Sequence, residues 1–320
     1  MLIPILLLIL GFIFLVGGGN WLVGGASSVA KRLKVSPLMI GLTIVAFGTS
    51  APELMVNILA GLNGNSDIAI GNILGSNIVN IMLILGVAAV IYPLKVGSGT
   101  VWKEIPLSIL ATIVVFFAAN DLLLDGAKTS IITRSEGLVL LAFFAIFVYY
   151  TFGIAKVEGD DGEDIKKMPV WLSVVYVILG IFFLGWGGDL VVRNAVEISR
   201  LLGLSESVIG LTVVAIGTSL PELVTSVMAA IKKETDIAIG NIVGSNIFNL
   251  LWILGLSAVI NPLKFNIGSN FDLIIAGGAS ILLFTFMFHG RKHTLDRWQG
   301  GIFISLYIAY LAYLVIGALD

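Results

Sequence analysis

Two six-residue words hold the residue types best suited to chemistry in this chain: Gly48-Thr49-Ser50-Ala51-Pro52-Glu53 and Gly217-Thr218-Ser219-Leu220-Pro221-Glu222. Each sits in the middle of a long apolar run. Of the twenty acidic residues, nearly all fall in polar breaks or near the ends of apolar runs; only Glu53 and Glu222 fall at mid-run. An ionised carboxylate at the centre of a bilayer costs at least about 2.5–3.5 kcal/mol. No Lys or Arg stands at matching depth to offset it. Two answers are open: the glutamates are protonated and hydrogen-bonded, or a bound cation supplies the countercharge. Two carboxylates match the charge of one divalent ion.

The neighbouring residues are oxygen donors. Thr49 and Ser50 stand four and three residues before Glu53, so the three side chains share one face of a helix. Pro52 lacks an amide hydrogen and clashes with the carbonyl one turn back. With Gly48 beside it, the helix is expected to break there and to free backbone carbonyls near Ala46 and Phe47. Irregular backbone is tolerated at that depth only where it is buried or lines a water-filled cavity. A second pair of words follows in the next apolar run of each half: Gly71-Asn72-Ile73-Leu74-Gly75-Ser76-Asn77-Ile78-Val79-Asn80 and Gly240-Asn241-Ile242-Val243-Gly244-Ser245-Asn246-Ile247-Phe248-Asn249. Carboxylates, hydroxyls, amides and carbonyls are all hard ligands. Such a set suits an ion like Ca2+, which takes about 6–8 oxygens.

These words are two copies of one unit. Residues 41–80 align without a gap with 210–249 at an offset of 169, and 24 of the 40 positions are identical. The register persists outside that window: Ser36 pairs with Ser205, Pro93 with Pro262, Lys95 with Lys264 and Gly19 with Gly188. Identity concentrates on polar residues, which packing alone does not require.

The elements that must position these residues are membrane spans. Hydrophobic residues make up 58% of the 320 and charged residues 12%, where a soluble domain carries about a quarter charged. Ten spans are expected, near 2–27, 36–62, 68–92, 104–120, 135–155, 168–195, 205–231, 237–261, 271–289 and 299–318. The N-terminal run lacks a basic flank and continues past a cleavable length, so it reads as the first span. The fold class expected is all-α and polytopic: two inverted five-helix repeats, broken at mid-membrane. Residues 1–155 form the first repeat, 156–167 a polar cytoplasmic linker (Lys156–Lys167) and 168–320 the second repeat. Five is odd, so the second copy enters the membrane upside down, as in transporters that work by alternating access. Thirteen of the eighteen Lys and Arg fall on the side opposite the termini; the positive-inside rule then puts both termini outside. The glycines at Gly17–Gly19, Gly24–Gly25 and Gly187–Gly188 suit close helix packing, or a span that slides. With no cysteine there is no disulfide or thiolate site. The absence of an HExxH word, a nucleophile elbow and a histidine at depth argues against an intramembrane enzyme. Two inverted broken repeats in one chain fit a channel poorly.

At these residues the chain resembles the calcium:cation antiporter superfamily and, within it, the prokaryotic sodium/calcium exchangers. The resemblance covers essentially the whole chain. It implies Glu53 and Glu222 as central ligands for Ca2+ and Na+. Thr49, Ser50, Ser76 and Asn80 complete the site from one repeat, and Thr218, Ser219, Ser245 and Asn249 from the other, with carbonyls of Ala46 and Ala215. It further implies Na+/Ca2+ exchange at a plasma-membrane site, with Ca2+ extrusion that moves net charge and with the first and sixth spans as a movable gate. No cofactor and no nucleic acid enter; the partners are the two ions and the lipid bilayer, and a single chain suffices. Many relatives carry an aspartate where this chain has Asn249, so the site holds two formal charges and argues against potassium dependence. The proton/calcium branch usually shows Gly-Asn-Ala before the glutamate; Gly-Thr-Ser in both copies here favours sodium. An H+/Ca2+ antiporter on the same fold is the alternative.

Overall fold

A computed structural model of the chain describes residues 2–33, 35–154, 168–201 and 215–317. The expected linker at 156–167 lies outside the described residues, as does the first part, 205–214, of the expected seventh span. The described chain is helical apart from two short ribbons. An apolar run in lipid has no water to satisfy its amides and carbonyls, and the helix pairs them within the segment. Among the described residues eight helices are long and apolar enough to cross a membrane, or nine if a bent pair is counted as one span.

The first helix, α1, spans Leu2–Leu33. A broken pair follows, α2 at Pro37–Thr49 and α3 at Ala51–Leu62, bent by 48°. The innermost helix of this part, α4, spans Ser66–Ile91. After it come α5 at Thr100–Ala118 and α6 at Arg134–Ile154. The second part runs α7 at Val170–Leu201, a helical turn at Ala215–Gly217, and α8 at Leu220–Ile231. It continues with α9 at Thr235–Ile260, α10 at Ser269–Phe286 and α11 at Arg297–Gly317. The helices α1 and α7 are longer than the apolar runs suggest. Each has 32 residues, about 48 Å, against a hydrocarbon core of about 30 Å. The charges Lys31 and Arg32 lie in the last described turn of α1.

Glycine sets the closest packing. Along α1, Gly11, Gly18 and Gly25 recur every seven residues and meet Gly187, Gly180 and Ser173 of α7, which recur at the same interval. A Cβ on Gly18 would lie 3.0 Å from the Gly180 carbonyl, and one on Gly180 would lie 2.7 Å from the Leu22 nitrogen. Of the two readings of these glycines, close packing therefore accounts for Gly18, Gly25 and Gly187 in this arrangement. The same device joins α4 to α11 at Gly86 and Gly300, and α9 to α6 at Gly137 and Gly255. Two antiparallel ribbons tie the parts at their loops: β1 (Leu94–Lys95) pairs with β4 (Thr294–Leu295), and β2 (Ser130–Ile132) with β3 (Leu263–Phe265).

The breaks form where the sequence places them, and proline starts a helix there rather than bending one from within. Ser50, at φ −81° and ψ 8°, leaves the helical region, and its equivalent Ser219 does the same at φ −88° and ψ 8°. Pro52 and Pro221 then occupy the first turn of α3 and α8, where a missing N–H breaks no intrahelical bond. Both inner helices also widen into π turns, Val79–Leu85 in α4 and Phe248–Ile253 in α9. Such turns concentrate at functional sites, and these contain Asn80 and Asn249.

A leucine at position 180 is expected to force α1 and α7 apart and to cost about 1–3 kcal/mol. Gly17→Ala, whose Cβ meets nothing within 4 Å, should leave stability unchanged. Thermal unfolding of the detergent-purified pair checks this contrast.

Candidate ion-binding site

Both breaks point their polar residues at α4 and α9, and the site assembles there. Nine of the expected side chains are at most 1% exposed: Thr49, Ser50, Glu53, Ser76, Asn80, Ser219, Glu222, Ser245 and Asn249. Thr218 is half-buried. The contacts cross between the two sequence repeats. Ser50 Oγ donates to Glu222 Oε1 at 3.0 Å, and its equivalent Ser219 Oγ donates to Glu53 Oε1 at 3.3 Å. Thr49 Oγ1 reaches Asn241 Oδ1 at 3.0 Å, and Thr218 Oγ1 reaches Asn72 Oδ1 at 3.4 Å. Ser76 Oγ lies 3.5 Å from Glu53 Oε1. Each glutamate is thus held by a serine from the break opposite its own.

The Ala46 carbonyl is not freed as the proline argument leads one to expect. It accepts the Ser50 amide at 3.0 Å and the Thr49 hydroxyl at 3.3 Å. The donor that Pro52 lacks is the one for the Gly48 carbonyl four residues back, while the Ser50 amide that serves Ala46 is intact. Ala215 opens the described turn ahead of the second break.

Asn77 and Asn246, which spacing arguments passed over, join Asn80 and Asn249 in a set of hydrogen bonds between α4 and α9. Asn77 and Asn246 each donate to the other's backbone carbonyl at 3.4 Å. Asn80 Nδ2 donates to Asn246 Oδ1 at 2.9 Å and Asn249 Nδ2 to Asn77 Oδ1 at 3.0 Å. Asn241 Nδ2 braces the second break through Ser226 Oγ at 3.0 Å and the Glu222 carbonyl at 3.4 Å. In the first repeat Asn57 replaces that serine and itself donates to the Glu53 carbonyl at 2.9 Å. The signal for Asn72, Asn77, Asn241 and Asn246 was present: all four stand in the duplicated words and are identical between copies. Their role needs the crossing of α4 and α9, which no spacing within one helix reveals.

The donor set fits a hard cation. Glu53 Oε2, Glu222 Oε2, Asn80 Oδ1, Asn249 Oδ1 and Ser245 Oγ are buried and have no hydrogen-bond partner. Buried acceptors rarely go unanswered in proteins, and here they gather around two carboxylates. Among the described residues no Lys or Arg pairs with either glutamate, and no three His, Cys, Asp or Glu side chains converge.

Fold and site together define an integral multi-pass membrane protein with a buried, all-oxygen polar centre. Residues 3–153 and 172–316 match the profile of the family described as sodium/calcium exchanger protein. The chain belongs to that family, which is one of membrane transporters and not of enzymes. It is similar to inner membrane protein YrbG of Escherichia coli strain K12, at 38% identity over 82% of this chain and 81% of that one. It is also similar to sodium/calcium exchanger MaX1 of Methanosarcina acetivorans, at 32% identity over 97% of each chain. Among solved structures, the sodium-calcium exchanger NCX_Mj soaked with 2.5 mM Na+ and 10 mM Sr2+ matches with a TM-score of 0.83 and 33% identity. That match covers 97% of this chain and 98% of the other.

Ser50→Ala leaves Glu222 Oε1 without its donor, whereas Ser219→Ala leaves Glu53 Oε1 the longer contact from Ser76 Oγ at 3.5 Å. Both should destabilise the protein, Ser50→Ala by about 1–3 kcal/mol and Ser219→Ala by less. Thermal unfolding of the purified variants tests this; unchanged melting in both would show that these bonds do not hold the breaks together.

Proposed function

We propose that this protein is a secondary antiporter that exchanges Na+ for Ca2+ at the site between the two breaks. The observation that carries the reading is the pair Glu53 and Glu222. Both are buried, each is bonded by a serine of the other repeat, and each keeps one carboxylate oxygen unpaired. One Ca2+ neutralises both charges; several Na+ ions take its place in an overlapping site. Thr49, Ser50, Ser76 and Asn80 join from one repeat, and Thr218, Ser219, Ser245 and Asn249 from the other. The Ala46 and Ala215 carbonyls complete the set, that of Ala46 once the Thr49 hydroxyl turns towards an ion.

Charge balance explains why occupancy and movement are coupled. Two unpaired carboxylates cost at least about 2.5–3.5 kcal/mol each in the bilayer centre, so the empty, ionised site resists occlusion. Ca2+ cancels both charges, and three Na+, the ratio the resemblance implies, leave one positive charge over; either load answers the carboxylates, and the loaded site can close and reopen on the other side. That excess is the one net charge that moves per cycle. Extrusion of Ca2+ through the plasma membrane follows the inward sodium gradient.

In this reading alternating access is carried by two inverted halves, 1–155 and 168–320, joined by the linker at 156–167 and containing ten spans. The ribbons support this. By the repeat alignment Lys95 of β1 is equivalent to Lys264 of β3. Yet β1 pairs near the start of α5 with β4, and β3 pairs near its end with β2. The 19 residues of α5 separate those ends by about 28 Å, so equivalent strands stand at opposite ends of the bundle. The packed pair α1 and α7 is the gate in this scheme. Both termini face outside, the Lys- and Arg-rich loops face the cytoplasm, and one chain suffices.

The test is calcium uptake into proteoliposomes loaded with sodium and diluted into sodium-free buffer, with equal pH on both sides. Uptake that requires internal sodium and builds a membrane potential is the expected result. Uptake that ignores sodium and follows an imposed proton gradient would replace this reading with H+/Ca2+ antiport. Glu53→Gln and Glu222→Gln should each abolish calcium exchange in folded protein, and exchange retained in both would remove the site assignment.

A further inference from the structure

An asparagine side chain presents an oxygen on one side and an NH2 group on the other, nearly alike in shape and opposite in effect on a cation. Which side faces the ion is decided by what holds the other. At Asn249 the nitrogen is held by Asn77 Oδ1 at 3.0 Å, and at Asn80 by Asn246 Oδ1 at 2.9 Å. The oxygens of Asn80 and Asn249 are buried and make no hydrogen bond. Asn77 and Asn246 are oriented in their turn by the backbone. Each gives its nitrogen to the other's carbonyl at 3.4 Å, which leaves only its oxygen to receive the next amide. Were Asn77 reversed, its NH2 would confront the NH2 of Asn249. All four side chains are 1% exposed, so water does not compete for these bonds.

We propose that Asn77 and Asn246 are positioning residues that aim the amide oxygens of Asn249 and Asn80 into the ion site, each acting on the ligand of the opposite repeat. Neither touches an ion. The inference rests on the ion-site reading above, in which Asn80 and Asn249 are ligands. The crossing makes it specific. Asn77 lies three residues before Asn80 on the same helix, yet the asparagine it holds is Asn249 on α9. A general packing defect at position 77 would disturb Asn80 first; loss of a positioning bond disturbs Asn249.

Double-mutant cycles separate the two. Calcium affinity is measured by titration calorimetry on the detergent-purified full chain for N77L, N249A, N80A and the doubles N77L/N249A and N77L/N80A. N77L is expected to weaken Ca2+ binding by about tenfold, the upper end of the scale for one lost hydrogen bond between neutral groups. N77L/N249A should bind within about twofold of N249A alone, because the ligand that Asn77 aims is already gone, whereas N77L and N80A should multiply. If leucine is not tolerated, as judged by a monodisperse elution profile, Asn77→Ser, too short to reach the Asn249 amide, takes its place. The mirror cycle of N246L with N80A reads the same coupling from the other side. Additivity of N77L with both partners, coupling to N80A instead, or no effect of N77L overturns the positioning role while leaving the ion site standing. Unchanged binding in N249A and N80A would remove the ion-site reading, and this inference with it.

Discussion

Two carboxylates buried inside a membrane protein must be answered by positive charge, by protons or by a cage of donors, and the arrangement of this protein follows from how they are answered. Glu53 and Glu222 each receive one serine from the opposite repeat and keep one oxygen unpaired. That partial answer holds the glutamates in place without satisfying them. A fully satisfied carboxylate would have no use for an ion, and an unheld one would not point at a common centre.

The breaks are the geometric price of this arrangement. A continuous helix offers only one stripe of side chains to a neighbour and no change of direction. By leaving the helical region at Ser50 and Ser219 and restarting at Pro52 and Pro221, the chain turns hydroxyls and a carboxylate of one short stretch towards α4 and α9. Those inner helices supply the rest, and their own widening at Val79–Leu85 and Phe248–Ile253 falls on the residues that line the site. Around this centre the packing is glycine against glycine or serine, which lets helices approach closely where lipid offers no hydrophobic driving force.

Pseudo-symmetry is expressed at the level of single bonds. Every cross-repeat hydrogen bond described at the site has its counterpart 169 positions away, from the serine–glutamate pair to the asparagine ring. The exceptions are local. Asn57 stands where the second repeat has Ser226, and it braces Glu53 through the backbone where Asn241 and Ser226 brace Glu222 together. Similar sites can therefore be built from slightly different supports, provided the carboxylates arrive at the same place.

Much of this was legible in the sequence, because lipid makes local rules strict. An apolar run must be helix, a glutamate within it must have a use, and a proline after Gly-Thr-Ser must interrupt the span. The duplication identified which residues to compare, and nine of the side chains it singled out are buried together, with the two glutamates among them. What the sequence could not supply was the pairing between repeats. Spacing within a helix says which residues share a face, not what that face meets, so the partners of Ser50 and Asn77, some 170 positions away, emerged only from the packed bundle. Ala46 departs from expectation for a local reason: its carbonyl takes the Ser50 amide, which is intact, while the donor that Pro52 lacks belongs to the Gly48 carbonyl four residues back. The lengths of α1 and α7 were decided only in the folded chain: composition marks where an apolar run ends, while the backbone hydrogen bonds of a helix continue into the polar residues beyond it.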